Sequence, residues 1–125
     1  MKIKKANNFE FIGIGTDIVK VNRFREKIFD ENKSFYDTIF SNEEIEYCLN
    51  FKDPYVHFAG KFAIKESVIK SLSEKISFKD ILTFNENSKP SIKLLSKNTK
   101  NYNFLVSMSH ENDYAIAVVL VNEIY

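Results

Sequence analysis

The chain has 125 residues, 44% hydrophobic and 28% charged, the proportions of one folded domain rather than a disordered segment. Eighteen basic residues against 17 acidic ones leave a net charge of +1, which excludes nucleic acid as a general partner and makes any anion site local. A lone cysteine, Cys48, cannot close an internal disulfide, and no run of about 18 apolar residues is present to span a membrane, so a reduced cytoplasm is the expected setting.

A single domain over residues 1–125 is expected, with residues 1–8 as a flexible extension, basic but without an apolar run of signal-peptide length. Residues 9–16 alternate apolar side chains on both faces, Phe9 and Phe11 against Ile12 and Ile14, as in a strand buried on both sides. Gly13 and Gly15 within it predict a close backbone approach. After Asp17 the period changes. Val21, Phe24 and Ile28 form one side of a short helix, for which Asp17 could serve as N-cap, and Arg23, Arg25 and Lys27 fall elsewhere on that helix. Ser41-Asn42-Glu43-Glu44 reads as a capping box opening a helix over 42–51. Asp53-Pro54, an N-cap carboxylate with proline at the first helical position, opens the main helix over 54–73. Strand signals follow at 81–84, 91–95, 104–108 and 114–121, with a polar, loop-like tract at 98–103 and a turn at 111–113. The fold class is α+β, an antiparallel sheet with helices packed on one side.

The main helix carries charges where its buried stripe should be. At about 100° per residue, Phe58, Phe62, Ile69 and Leu72 share one side, and Lys65 falls inside it. Glu66 lies beside Ala59 and Ala63, with Lys70 one turn on. Periodicity alone favours an exposed i, i+4 pair for Glu66 and Lys70 and a snorkelling Lys65. Asp17 shifts that balance, because a carboxylate at the end of a buried strand needs a compensating cation. Two carboxylates from separate elements suit a Mg²⁺ ion that keeps several waters and shares its shell with a phosphate. The lysines would neutralise further phosphate oxygens.

These segments resemble the 4′-phosphopantetheinyl transferases of the small holo-acyl-carrier-protein synthase type. Gly13-Ile14-Gly15-Thr16-Asp17-Ile18-Val19 is similar to the family's Gly-Ile-Gly-x-Asp-Ile-Val. The segment from Phe58 to Lys70 is similar to Phe-x-Ala-Gly-Arg-Phe-Ala-x-Lys-Glu-Ala-x-x-Lys. Phe78-Lys79-Asp80-Ile81, Lys89-Pro90 and Ser107-Met108-Ser109-His110 follow in the family's order. Any one block is short enough to arise by chance, whereas five in order are specific.

The resemblance implies a 4′-phosphopantetheinyl transferase-like fold and transfer of the phosphopantetheine arm from coenzyme A to a serine of an acyl carrier protein. It implies Asp17 and Glu66 as Mg²⁺ ligands and Lys70 as a phosphate contact, with all three at the reaction. Lys61 stands where the family has Arg, a point charge in place of a fork. Lys65 matches the Lys of Lys-Glu and is left between cofactor contact and a structural role. Ser109 and His110 match residues beside the nucleotide half of coenzyme A, and Pro90 the loop bordering the adenine. Arg23, with Arg25 and Lys27 beside it, matches the carrier-binding helix. The resemblance further implies a homotrimer with sites between subunits. Glu66, a water on the metal, or Asp17 through water could take the serine proton. Two departures concern the cofactor: Ser73-Glu74-Lys75 replaces a Gly-Thr-Gly turn, and Ser88 the Gly of Gly-Lys-Pro. A non-catalytic coenzyme A-binding module of the same fold, or a transferase for a polyketide or peptide synthase carrier, are the alternatives.

Overall fold

A computed structural model describes residues 11–95 and 101–124. The expected extension at 1–8, the first two residues of the predicted strand and positions 98–100 of the polar tract lie outside the described residues. The first strand, β1 (Phe11–Lys20), is longer than its sequence signal, running past Asp17 because Ile18 and Val19 continue the ladder opposite Ile116 and Ala115. Asp17 is therefore a strand residue. The short helix that follows, α1 (Asn22–Arg25), has Val21 at its N-cap with no side-chain bond, so the expected Asp17 cap is replaced by sheet pairing.

Next come a single 3-10 turn at Phe29–Glu31, α2 (Lys33–Asp37) and α3 (Asn42–Leu49). The capping box at the start of α3 is complete: Ser41 Oγ accepts from the Glu44 amide at 3.2 Å and Glu44 Oε1 accepts from the Ser41 amide at 2.8 Å. The long helix α4 spans Pro54–Ser71, with Asp53 accepting from the Tyr55 amide at 3.2 Å. A 3-10 turn at Phe78–Asp80 leads into β2 (Ile81–Glu86), β3 (Lys89–Leu94), β4 (Asn101–His110) and β5 (Tyr114–Ile124).

The strands divide into two antiparallel sheets rather than one: β1-β5-β4, and the separate hairpin β2-β3. That hairpin turns on Asn87 and Ser88 with φ of 51° and 64°, so Ser88 adopts the left-handed conformation for which glycine is suited.

Helix α4 is the centre of the fold. Its burial extends well beyond one stripe, from Phe58 through Lys65 without a break, because β1 and β5 lie against it on one side, α1 and α3 on another, and β2 on a third. Contact with β1 is backbone to backbone. A Cβ on Gly13 would stand 1.8 Å from the Ser71 carbonyl oxygen, and one on Gly15 1.8 Å from that of Ser67. On the other side, Phe24, Tyr36, Phe40, Phe58 and Phe62 form an aromatic core, with the Tyr36 hydroxyl donating to Lys27 O at 2.7 Å.

Among the described residues, only one face of the β1-β5-β4 sheet is covered. Ala115, Ala117, Val119 and Val121 are buried beneath α4, whereas Ile14, Ile18 and Leu105 on the other face are 64%, 63% and 60% exposed, beside exposed Ile116 and Val118. The expectation that β1 is buried on both sides is met on one side by the described residues.

Candidate functional site

The glycine contacts bring the C-terminal half of α4 onto β1 and so set Glu66 and Lys70 beside Asp17. Lys70 donates to Asp17 Oδ1 at 2.9 Å and to the Thr16 carbonyl at 3.1 Å. The Asp17 side chain is 16% exposed and that of Lys70 50%, so this pair sits at a rim. Burial, then the neighbouring Asp17 carboxylate, push the Glu66 carboxyl above its ordinary range, against the pull of Lys70 and Arg23. Asp17, paired with Lys70, and Glu66 thus form two neighbouring carboxylates from separate elements, a donor set that suits a hard divalent cation. Among the described residues no group of three His, Cys, Asp or Glu could hold a metal ion by itself, and an ion held by these two carboxylates would need further ligands from outside the chain.

Glu66 opens into a cleft of about 540 Å³ lined by Arg23, Lys27, Phe35, Phe62 and Phe78 among others. Arg23 stacks over the Phe62 ring at 5.2 Å and Lys27 over Phe35 at 4.8 Å, holding two cations along its wall. Arg25, on the same helix, does not line this cleft. Its guanidinium donates to Asp53 Oδ2 and to the Asn112 carbonyl, each at 2.7 Å, tying α1 to the start of α4.

Lys65 does not line this cleft and is closed off from any ligand by burial, which corrects its placement among the cofactor contacts. It is fully buried, and its ammonium donates to Glu44 Oε1 at 2.7 Å, Ile39 O at 2.7 Å and Phe78 O at 3.1 Å, using all three protons. Glu44 also accepts from the Thr83 amide at 2.9 Å and from Thr83 Oγ1 at 2.5 Å. Burial works against ionisation of Glu44, but the Lys65 ammonium and these donors outweigh it and hold the carboxyl below its ordinary range. The capping-box pattern identified Glu44 but gave no sign of this second role.

Lys61 donates to Thr83 Oγ1 at 3.0 Å and Thr83 O at 3.2 Å and lies 4.7 Å from the Tyr47 ring centroid, bordering a separate hollow of about 650 Å³. It is on the far side of α4 from Glu66. The same side holds His110, whose ring meets that of His57 edge to face at 5.2 Å, while His57 stacks on Phe51 with centroids 3.6 Å apart. His57, Tyr47 and Phe51 had no part in the sequence reading; the available signal was that His57 lies four residues before Lys61, on the same helix face.

Strand alternation places Ser109 and His110, both matched to the nucleotide half of coenzyme A, on opposite faces of β4. Ser109 faces the open side of the sheet beside Thr16, Ile116 and Val118, whereas His110 faces α4. Pro90 lies at the start of β3, opposite Asn85, in a shallow hollow with Phe104 and Leu105. The site residues therefore form two groups divided by α4. Asp17, Glu66 and Lys70 stand on the β1 side; Lys61, against β2 and α3, and His110, on β4 beside His57, stand away from it. His57 and Glu66 are nine residues apart on the helix, about 13.5 Å of rise and about two and a half turns, which puts them on opposite sides of it.

The sequence pattern of the 4′-phosphopantetheinyl transferase superfamily matches residues 13–119. A Protochlamydia amoebophila protein named holo-[acyl-carrier-protein] synthase is 38% identical over 114 residues, covering 85% of this chain and 93% of its own length. A Thermodesulfovibrio yellowstonii protein of the same name is 35% identical over 113 residues, covering 87% and 96%. Among solved structures, Helicobacter pylori holo-[acyl-carrier-protein] synthase in complex with coenzyme A aligns with a TM-score of 0.73 at 32% identity, over 87% of this chain and 99% of that one. A Bacillus anthracis holo-(acyl-carrier-protein) synthase in complex with CoA (3′,5′-ADP) gives 0.75 at 27% identity, over 90% and 96%.

Proposed function

Since the chain belongs to the 4′-phosphopantetheinyl transferase superfamily, we propose that it moves the 4′-phosphopantetheine arm of coenzyme A onto a serine of apo acyl carrier protein for fatty-acid biosynthesis. The whole chain acts as one transferase domain. The observation that carries this reading is the meeting of Asp17 on β1 with Glu66 and Lys70 on α4, at the end of a cleft with a cationic wall.

The serine hydroxyl attacks the β-phosphorus of the coenzyme A pyrophosphate. A new P–O bond forms to the serine, the bond to the bridging oxygen breaks, and its electron pair leaves on 3′,5′-ADP. Glu66, with its raised carboxyl, is a candidate in this chain to receive the serine proton. Lys70 at the rim neutralises phosphate oxygens. Asp17 and Glu66 would hold Mg²⁺, which when bound supplies charge neutralisation to the pyrophosphate. Arg23 and Lys27 face an acidic carrier, speeding encounter more than adding affinity.

Two observations support a homotrimer with shared sites. The open face of the β1-β5-β4 sheet is an apolar patch of the kind that marks an interface. In addition, α4 divides the expected cofactor contacts, so one coenzyme A can touch both groups when a second copy brings its Lys61 and His110 to the first copy's Asp17 and Glu66. Among the described residues no helix is long and apolar enough to cross a membrane, and a cytoplasmic enzyme is proposed.

The test is to incubate the protein with apo carrier, coenzyme A and Mg²⁺ and follow the carrier by mass spectrometry. Addition of the phosphopantetheine mass is expected. No addition on any apo carrier, with coenzyme A binding intact, would sink the transferase reading in favour of a binding module.

A further inference from the structure

The reading above leaves one built feature unused, the pair of imidazoles on the β4 side of α4. His57 and His110 meet edge to face at 5.2 Å, and among the described residues neither ring makes a hydrogen bond. His57 is held in place by its stack on Phe51 and by Tyr47, whose ring is 6.2 Å away. Lys61 follows one turn later on the same helix face. The only acid among the groups facing His57 is Asp53, whose carboxylate is already engaged by Arg25 at 2.7 Å. Two rings with free nitrogens, a fixed ammonium and no free carboxylate make a place for a compact anion.

We propose that His57 is a further phosphate-contact residue, which with His110 and Lys61 receives the 3′-phosphomonoester of coenzyme A and takes up a proton as it does so. The proposal rests on the coenzyme A reading. The pyrophosphate belongs at the neighbouring copy's Asp17 and Glu66, where the bond breaks, so the monoester on the ribose is the anion left for the other group. Burial, then His110 and Lys61, hold the free His57 below its ordinary range, with only Asp53 pulling the other way. A phosphate dianion beside it reverses that balance. The sign follows: bound His57 carries a higher pKa than free His57, so binding takes up a proton near neutrality. The added affinity is present at low pH and is lost as pH rises through the bound-state value.

The experiment is isothermal titration of 3′,5′-ADP and of 5′-ADP, which lacks the monoester, into the wild-type protein, His57→Gln and His57→Phe. Titrations run from about pH 6 to about pH 8.5 in buffers of different ionisation enthalpy. For 3′,5′-ADP the wild type is expected to take up more protons than either variant, and each variant to lose about tenfold in affinity at the acid end and little at the alkaline end. Binding of 5′-ADP should be alike in all three. His57→Phe keeps the ring stack without the proton, so wild-type behaviour from that variant overturns the proposal, as does equal proton uptake in all three. If the wild type binds neither 3′,5′-ADP nor coenzyme A, the coenzyme A reading itself has failed, and the proposal with it.

Discussion

Replacing Lys65 by Met removes the cation that is ion-paired, at 2.7 Å, with a carboxylate that is 1% exposed. Glu44 keeps its donors from Thr83 and Ser41, but its counter-ion is gone, and the carbonyls of Ile39 and Phe78 each lose a donor. Breaking a buried pair from one side costs about 3 to 5 kcal/mol, a large part of the roughly 5 to 15 kcal/mol that hold a domain together. With a urea dependence of about 1 to 3 kcal/mol per molar, the unfolding midpoint should fall by about 2 M, read by circular dichroism. Lys65→Met with Glu44→Leu should cost less than the sum of the single changes, since neither charge is then stranded. Acid adds a second reading. Glu44 is held below its ordinary range, so its stabilisation is present above the unfolded glutamate value of about 4.3 and is lost as pH falls through the lower folded value. In Lys65→Met, burial is left to push Glu44 upward, and acid unfolding should begin at higher pH. A loss below about 1 kcal/mol together with a large rise in KM for coenzyme A would refute the structural assignment and return Lys65 to the cofactor.

Other outcomes follow from the same contacts. Glu66→Gln should abolish phosphopantetheine addition while leaving the thermal midpoint within a few degrees, and chelation of divalent metal should do the same to the wild type; unchanged turnover in both would show the carboxylates are misassigned. Gly15→Ala puts a methyl 1.8 Å from the Ser67 carbonyl, so α4 must shift off β1, and Tm and turnover should fall together. Ser88→Gly relieves a left-handed serine in the β2-β3 turn and should raise stability by about 0.5 to 1 kcal/mol; a loss would mean the serine side chain matters there. Cys48 is wholly buried, and burial pushes its thiol up to about 12. It should resist thiol reagents until the chain unfolds, and stability should decline above the unfolded thiol value of about 8.5, because only the unfolded chain ionises there.

Local signals carried much of the fold. The capping box at Ser41, the Asp53-Pro54 start of α4 and the alternation in β5 are each set by neighbours within a few residues, and each appears in the structure where the pattern put it. The two glycines of β1 likewise announced a close contact, though not its partner. What failed were inferences about which long-range contact wins. Asp17 looked like a cap because the period changed after it, but pairing opposite Ala117 in the ladder took precedence. The match of Ser109 and His110 to the nucleotide half of coenzyme A did not say which face each occupies, and the two-residue period of β4 places them on opposite faces.

The amino-acid sequence by itself determined the order of elements, the family pattern, and the residue types at the proposed reacting centre, because motif spacing and capping are local properties. Tertiary structure decided which charges meet. Lys65 met Glu44, 21 residues away in the chain, instead of a phosphate, and α4 split the expected cofactor contacts into two groups. Both depend on how one helix buried on three sides orients its flanks, and helical periodicity fixes the angle between side chains without fixing what lies opposite each one.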